Sequence, residues 1–277
     1  GGAYLPRETE EFFNICSKPF KQAYGSTETC CGTTMSNLDY VRSHNVGPPV
    51  GCSEIKIIPW LEGGYKMDDP NNIKGELLVC GNSVCSGYYK NDEKTKDSFI
   101  YDNKTGKTWF HTADIAKLLD DGTFRIIGRK SDIIKLSHGE YIELSRIETV
   151  ISFSKYVDFV CLTTDKDVTQ LIAVICSNQL NVMELSKFIS ITPQESTYEN
   201  LIKNKEVIEI IKEDILTVVK KGKYRTFILA ALNKYEIPSK YIFVQDQWTP
   251  ESDLTTPSMK IKRTSIVNKY KELLENC

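Results

Sequence analysis

The sequence predicts a mixed α-β fold in two parts, a strand-rich stretch followed by a smaller α+β domain. Three observations carry that expectation. EIKIIPW (Glu54 to Trp60), GELLVCG (Gly75 to Gly81) and TFRIIGR (Thr123 to Arg129) cluster or alternate β-formers between Gly, Pro, Asn and Asp punctuation. After GRKSD (Gly128 to Asp132) the texture changes: LSRIETVISF starts as a helix, and YVDFVCLTT and QLIAVICS follow as two buried strands joined by DKDVT. The chain has 277 residues, 40% apolar and 26% charged, an ordinary globular composition with room for one large domain or two modest ones.

The boundary is therefore placed at residues 1–129 and 130–277. Within the second part, apolar residues from Glu195 to Leu232 recur at helical spacing amid Lys and Glu, which predicts one or two surface helices. KYIFVQDQW reads as a further strand and TSIVNKYKELLEN as a terminal amphipathic helix. The second part has the pattern of a unit that folds alone, whereas the first is mostly strands and turns.

Composition also excludes some functions. A net charge of −2 argues against a nucleic-acid binder. Local basic stretches (Lys220, Lys221, Lys223, Arg225; Lys260, Lys262, Arg263) retain the charge to hold a phosphate. Nine cysteines include the adjacent Cys30 and Cys31 but no C-x-x-C, and three histidines give no zinc spacing. Free, mostly buried thiols in a reducing compartment are expected. No apolar run approaches the roughly 18 residues of a membrane helix, and no signal-peptide pattern is visible. Because the chain starts GGAYLP without methionine, it is expected to be a fragment.

Four segments carry chemistry. YGSTE (Tyr24 to Glu28) offers a small-residue turn for close approach to a phosphate, hydroxyl donors, and a carboxylate able to share Mg²⁺ with phosphates. It is equally a strand running into a helix N-cap at Ser26 or Thr27. In WFHTADIAKLLDDGTFRIIGR, Asp114 follows a strand-like WFHT and Arg129 ends the next strand. A carboxylate so placed suits a ribose diol, while the plain alternative is a hairpin turn with a surface ion pair. KLSHGEYIELSRIE, with Lys135 and Gly139, suits the wall of a ligand channel, or a loop in which Ser145 and Glu148 form a capping box. WTPESDLTTPSMKIKR sets Lys260 in a strand-like MKIKR beyond constraining prolines, as a point charge for a carboxylate or phosphate or as a solvated surface lysine.

In this order, and together with GGAYLPRETEEFF and GELLVCGNSVCSGYYKNDEKTKDSF, these segments resemble the adenylate-forming superfamily of acyl-CoA synthetases, adenylation domains and beetle luciferases. The HGEYI and TPSMKIKR forms resemble its long-chain fatty-acyl-CoA synthetases. The resemblance implies that residues 1–129 end a large adenylation domain, in a strand-rich, barrel-like subdomain, and that 130–277 are a small mobile C-terminal domain hinged near Ser131. It implies ATP, Mg²⁺ and coenzyme A as cofactors and a long-chain fatty acid as substrate, joined through an acyl-AMP with release of AMP and pyrophosphate.

Residue by residue, the resemblance sets Tyr24, Gly25, Gly1, Gly2 and Ile126 at the adenine and Asp114 and Arg129 at the ribose. Thr27 falls on phosphate and acyl carboxylate, Glu28 on Mg²⁺, and Lys260 between carboxylate and α-phosphate. Lys135 and Gly139 line the loop that replaces Lys260 when coenzyme A reacts. Relatives carry Lys or Asp where Ser131 stands, and TGD where this chain has TAD, so Ala113 occupies a glycine position that matters if the backbone there needs positive φ. The family's Ser/Thr/Gly-rich phosphate loop is absent from the 277 residues, so the chain alone is expected to be inactive. A lipid-partitioning substrate implies peripheral membrane contact, and an intracellular location, cytoplasmic or on an internal membrane such as the endoplasmic reticulum. The rival readings are a fatty-acyl-AMP ligase and a non-catalytic nucleotide- or coenzyme-A-binding module.

Overall fold

The computed structural model describes the chain apart from residues 1–4, 6, 18, 19, 38–42, 190–196, 222, 225, 226, 229, 230, 276 and 277. Gly1 and Gly2, expected at the adenine, lie outside the described residues, as does Arg225. The chain divides into two compact units, Gly1–Ile134 and Lys135–Cys277. The division falls slightly beyond the position expected from the sequence, inside a strand that follows GRKSD.

In the first unit, α1 (Arg7–Cys16) precedes a two-stranded ribbon of β1 (Ala23–Tyr24) and β2 (Thr34–Met35). The remaining strands are β3 (Ser53–Ile58), β4 (Lys74–Gly81), β5 (Phe99–Asp102, after α2, Asp92–Ser98), β6 (Lys107–Leu118) and β7 (Phe124–Arg129). They form one antiparallel, curled sheet in the order β3-β4-β6-β5, with β7 also on β6. β6 is long enough to serve two partners in succession: Lys107 to Phe110 pair with β5, and Asp114 to Leu118 pair with β7. The apolar run predicted at Gly75 to Gly81 supplies Leu77 and Val79, which pack with Val46, Ala116 and Phe124 in a buried cluster. Tyr24 and Ile126 lie against this cluster, so the core that holds the sheet together also floors the turn that carries YGSTE.

β8 (Ile133–Lys135) leads to the second unit, which contains β9 (Tyr141–Glu143), α3 (Leu144–Ile151), β10 (Val157–Thr164), β11 (Leu171–Ser177), α4 (Gln179–Leu185), α5 (Tyr198–Leu201) and α6 (Lys205–Lys221). These are followed by β12 (Lys223–Tyr224), β13 (Phe227–Ile228), β14 (Lys240–Val244), α7 (Arg263–Lys269) and α8 (Lys271–Glu275). β11 lies between antiparallel β10 and parallel β14. Every residue of β11 is buried, as its unbroken apolar sequence requires of a strand covered on both faces. On one side Cys161, Val174, Cys176 and Val244 pack with Trp248, Leu254, Ile266 and Tyr270. Trp248 Nε1 donates to Tyr270 Oη at 3.2 Å, and Tyr270 Oη donates to Asp246 at 2.8 Å, so the aromatic pair is buried without stranding its polar atoms.

Several expectations need correction. The Ser145–Glu148 capping box does not form: α3 begins at Leu144 with Glu143 as its N-cap, and Glu148 is buried, accepting the Leu162 amide at 2.7 Å and pairing with Arg263. MKIKR is not a strand. Met259 has φ +60° and the Lys260 amide bonds Thr256 Oγ1 at 3.1 Å, which makes a turn, and α7 starts at Arg263. TSIVNKYKELLEN is divided at Tyr270, the residue drawn into the Trp248 cluster. Among the described cysteines only Cys161 and Cys176 are buried, and Cys16, Cys30, Cys31 and Cys52 are exposed. Three of these four lie on turns rather than in apolar runs. All the described cysteines are free thiols. No helix among the described residues is long and apolar enough to cross a membrane.

Candidate active site

The YGSTE turn folds back on itself directly after β1. Ser26 is the N-cap of a single 3₁₀ turn, Thr27–Thr29, and its amide donates to Thr29 Oγ1 at 2.9 Å. The Cys31 amide returns to the Ser26 carbonyl at 2.9 Å, and Cys30 and Cys31 both take positive φ, 49° and 57°. Gly25 is what permits this reversal, since a Cβ there would stand 2.4 Å from the Cys31 carbonyl carbon. The cap is thus Ser26, and Thr27 is exposed at the tip of the turn beside half-buried Glu28. The helix cap and the turn expected to approach a phosphate are the same piece of chain.

Asp114 sits inside β6 rather than in a hairpin turn. Opposite Leu77 of β4 the β6 register shifts, so that Thr112, Ala113 and Asp114 bulge out of the ladder. Ala113 takes φ +57° in the bulge. Thr112 Oγ1 ties it down, donating to the Leu77 carbonyl at 2.7 Å and accepting the Asp114 amide at 3.0 Å. The Asp114 carboxylate then accepts from Tyr24 Oη at 2.5 Å and from Arg129 Nε at 2.9 Å. Arg129 lies directly across the β6–β7 ladder, the register partner of Asp114.

The two contacts differ in weight. The Arg129 side chain is 62% exposed, so its ion pair is worth less than about 1 kcal/mol. Asp114 is only 5% exposed, and the Tyr24 bond fixes it from the buried side. Burial raises the Asp114 pKa, against the opposing pull of Tyr24 and Arg129. Burial, then the Asp114 charge, pushes Tyr24 well above its usual range, so the phenol remains a donor at neutral pH. The neighbouring Asp114 charge raises Arg129 as well.

Glu28 has an anchor the sequence did not single out. Tyr88 Oη donates to Glu28 Oε1 at 2.7 Å. Burial would raise the Glu28 pKa, but the Tyr88 hydrogen bond and further local bonds hold it below the ordinary value, with help from the Lys94 charge. Tyr88 in turn is pushed up to about 12 by burial and by Glu28. The signal lies in the GYY stretch, Gly87 to Tyr89. No group of three or more His, Cys, Asp or Glu able to hold a metal is present among the described residues. One ionised carboxylate beside hydroxyls fits Mg²⁺ that is otherwise bound by phosphates and water, which seldom uses an all-protein cage.

The structure brings together Tyr24, Gly25, Thr27, Glu28, Asp114, Ile126 and Arg129 in the first unit. Lys135, Gly139 and Lys260 belong to the second. Lys135 is exposed with Nζ 5.3 Å from the Tyr141 ring. Gly139, at φ +99°, closes a turn through its amide on the Leu136 carbonyl at 2.8 Å. Lys260 is exposed on the loop set by Thr256, whose amide donates to the Lys260 carbonyl at 2.7 Å. Ser131 lies exposed in a 3₁₀ turn, Lys130–Asp132, and the preceding Lys130 donates to buried Glu76 at 2.7 Å.

Residues 1–89 match the family described as AMP-binding enzyme. The chain is 37% identical over 275 residues to long chain acyl-CoA synthetase 8 of Arabidopsis thaliana, covering 99% of this chain and 37% of the relative. It is 34% identical to fatty acyl-CoA synthetase B of Dictyostelium discoideum, covering 98% and 38% respectively. The chain therefore spans little more than a third of the length of these relatives. Among solved structures, the adenylation domain of a carboxylate reductase from Mycobacterium chelonae superposes with TM-score 0.74 at 25% identity, over 100% of this chain and 37% of that one. The corresponding domain from Segniliparus rugosus, solved with AMP and a co-purified carboxylic acid, gives 0.72 at 23% identity over 100% and 38%. The chain is thus similar along nearly all its length to long-chain acyl-CoA synthetases, its first 89 residues match the AMP-binding enzyme family, and its fold is that of adenylation domains.

Proposed function

We propose that the chain is part of an ATP-dependent ligase that converts long-chain fatty acids to acyl-CoA through an acyl-AMP. The observation that carries this reading is Asp114, presented by a bulge and fixed between Tyr24 and Arg129. A buried, oriented carboxylate of that kind suits the two hydroxyls of an AMP ribose, and Tyr24 and Ile126 offer apolar surface to the base. The relatives' names supply the acid and thiol partners.

In the first half-reaction a carboxylate oxygen of the fatty acid attacks the α-phosphorus and pyrophosphate leaves. In the second, the thiolate of coenzyme A attacks the acyl carbon and AMP leaves. Thr27, at the exposed tip of its turn, donates to phosphate and carboxylate, and Lys260 places positive charge on the same groups during the first half. Such positioning and charge account for most of phosphoryl-transfer catalysis. Glu28 is the residue that would hold Mg²⁺, whose charge would neutralise the phosphates when bound. Lys135 and Gly139 act in the second half, after a rotation about Ser131. The residues supplying a phosphate loop and acyl tunnel are proposed to lie outside these 277 residues, with the enzyme intracellular and in peripheral contact with the membrane that holds its substrate.

The test is AMP release by the intact protein given ATP, Mg²⁺ and a long-chain fatty acid, with and without coenzyme A, beside Lys260→Ala. Sustained release that needs both acid and thiol, and falls at least about 100-fold in the variant, is expected. Acyl-AMP that passes to a carrier protein without coenzyme A would favour the acyl-AMP ligase. Absence of any fatty-acid-dependent AMP would leave the non-catalytic module.

A further inference from the structure

We propose that Tyr88 is a positioning residue for the proposed reaction, fixing the Glu28 carboxylate in the orientation in which it meets Mg²⁺ and the nucleotide phosphates. The inference rests on the reading of Glu28 as the metal-binding residue. It starts from the fact that Glu28 is held at two points by one segment: the Cys85 amide donates to its carbonyl at 2.8 Å, and Tyr88 Oη donates to its carboxylate at 2.7 Å. Backbone and side chain of the same acid are thus tied to the loop between β4 and α2.

That loop is in turn built to hold one phenol still. The Tyr88 amide donates to Thr95 Oγ1 in α2 at 2.9 Å. Its ring meets the edge of buried Phe99 with centroids 5.7 Å apart, and Lys94 Nζ lies 4.4 Å over its face. The Lys94 amide is fixed by the Asn91 side chain capping α2 at 3.1 Å. At Gly87, φ +149°, a Cβ would stand 2.4 Å from Thr95 Cγ2, so α2 and the loop meet without a gap. The next residue, Tyr89, is 89% exposed and shares none of these anchors. A ring held by Phe99 and Lys94 would serve packing equally well as phenylalanine. The hydroxyl adds one thing, a short bond to an ionised carboxylate that sets its plane. A carboxylate on a short exposed turn otherwise rotates freely and loses that freedom only when the cation binds, a cost the phenol removes in advance.

Tyr88→Phe in the intact protein tests this, since it keeps the ring on Phe99 and Lys94 and deletes only the hydroxyl. Manganese binding with a non-hydrolysable ATP analogue, followed as loss of the free-Mn²⁺ electron paramagnetic resonance signal, should weaken about tenfold. The Mg²⁺ concentration for half-maximal AMP formation should rise by a similar factor. kcat at saturating Mg²⁺ should stay within about threefold, and the melting temperature should be unchanged. Tyr89→Phe should change none of these. Glu28→Gln separates the two ideas. If it weakens manganese binding while Tyr88→Phe leaves both metal readouts at wild-type values, the positioning role is overturned and the Glu28 reading stands. If Glu28→Gln has no effect on metal, the Glu28 reading fails and the proposal falls with it.

Discussion

Replacing Ala113 by glycine should stabilise the protein, although it removes an atom and adds no contact. Ala113 stands in the β6 bulge at φ +57° with its side chain exposed. For an L-residue with a Cβ that conformation costs about 1–2 kcal/mol. Glycine removes the cost but gives up about 0.5–1 kcal/mol through the greater freedom of its unfolded chain. The exposed methyl buries almost nothing, so the difference spans about 0–1.5 kcal/mol, with a central net gain of about 0.5–1 kcal/mol. For a protein of this size or larger, that is a rise in melting temperature of about 1–4 °C. The assay is a paired thermal melt of the intact wild type, Ala113→Gly and Ala113→Val. Valine, β-branched and poorly tolerated at positive φ, should fall in the opposite direction by at least as much. The Asp114 carboxylate keeps Tyr24 and Arg129 in all three, so KM for ATP should stay within about twofold for the glycine variant. A glycine variant that melts lower than wild type, or a valine variant that melts the same, would refute the reasoning that backbone strain sits at this residue.

Two further outcomes follow from other parts of the fold. Burial, and then the charges of Arg125 and Arg7, lowers His44 from 6.5 to about 4. The unfolded chain therefore takes up a proton that the folded chain refuses, so this contribution to stability is full above about pH 6.5 and is lost as pH falls towards about 4. His44→Gln should flatten the decline in melting temperature between pH 7 and pH 4.5, and an unaltered slope would show that His44 does not carry it. In the second unit, Glu148→Ala should cost about 3 kcal/mol in denaturant unfolding, because it strips the largely buried Arg263 of its carboxylate, leaving the Leu162 carbonyl, and leaves the Leu162 amide without its acceptor. Glu148→Gln should cost less, since its carbonyl can still accept that amide.

The strands were legible where side-chain pattern decides structure. EIKIIPW, GELLVCG, TFRIIGR, YVDFVCLTT, QLIAVICS and KYIFVQDQW all contain strands. What escaped was decided by backbone and by distant partners. Nothing local in LSRIE says that Glu148 will turn from its own helix end towards an arginine more than a hundred residues away, and a capping box was the reasonable local expectation. MKIKR has strand propensity, but a left-handed Met259 and the Thr256 side chain turn it instead. At the site, Asp114 and Arg129 were found by resemblance, yet their cross-strand registry and the Tyr24 bond are tertiary facts. Tyr88 was hidden for the same reason: its importance lies in reaching a turn sixty residues earlier in the chain.

The succession of partners along β6 has a practical consequence for handling the molecule. β5 pairs only with its first few residues, and the connection between them is a solvent-facing turn in which Lys104 N bonds Asp102 Oδ1 at 3.0 Å and Gly106 N returns to the Asp102 carbonyl at 2.8 Å. From that turn to Asp114 the strand runs roughly 25 Å at about 3.3 Å per residue. Exposed loop tips of this kind accept insertions. A peptide tag or a fluorophore placed between Asn103 and Gly106 would ride on the same strand as Asp114 while leaving the surroundings of that acid intact, giving a reporter rigidly linked to the candidate site without intruding on it.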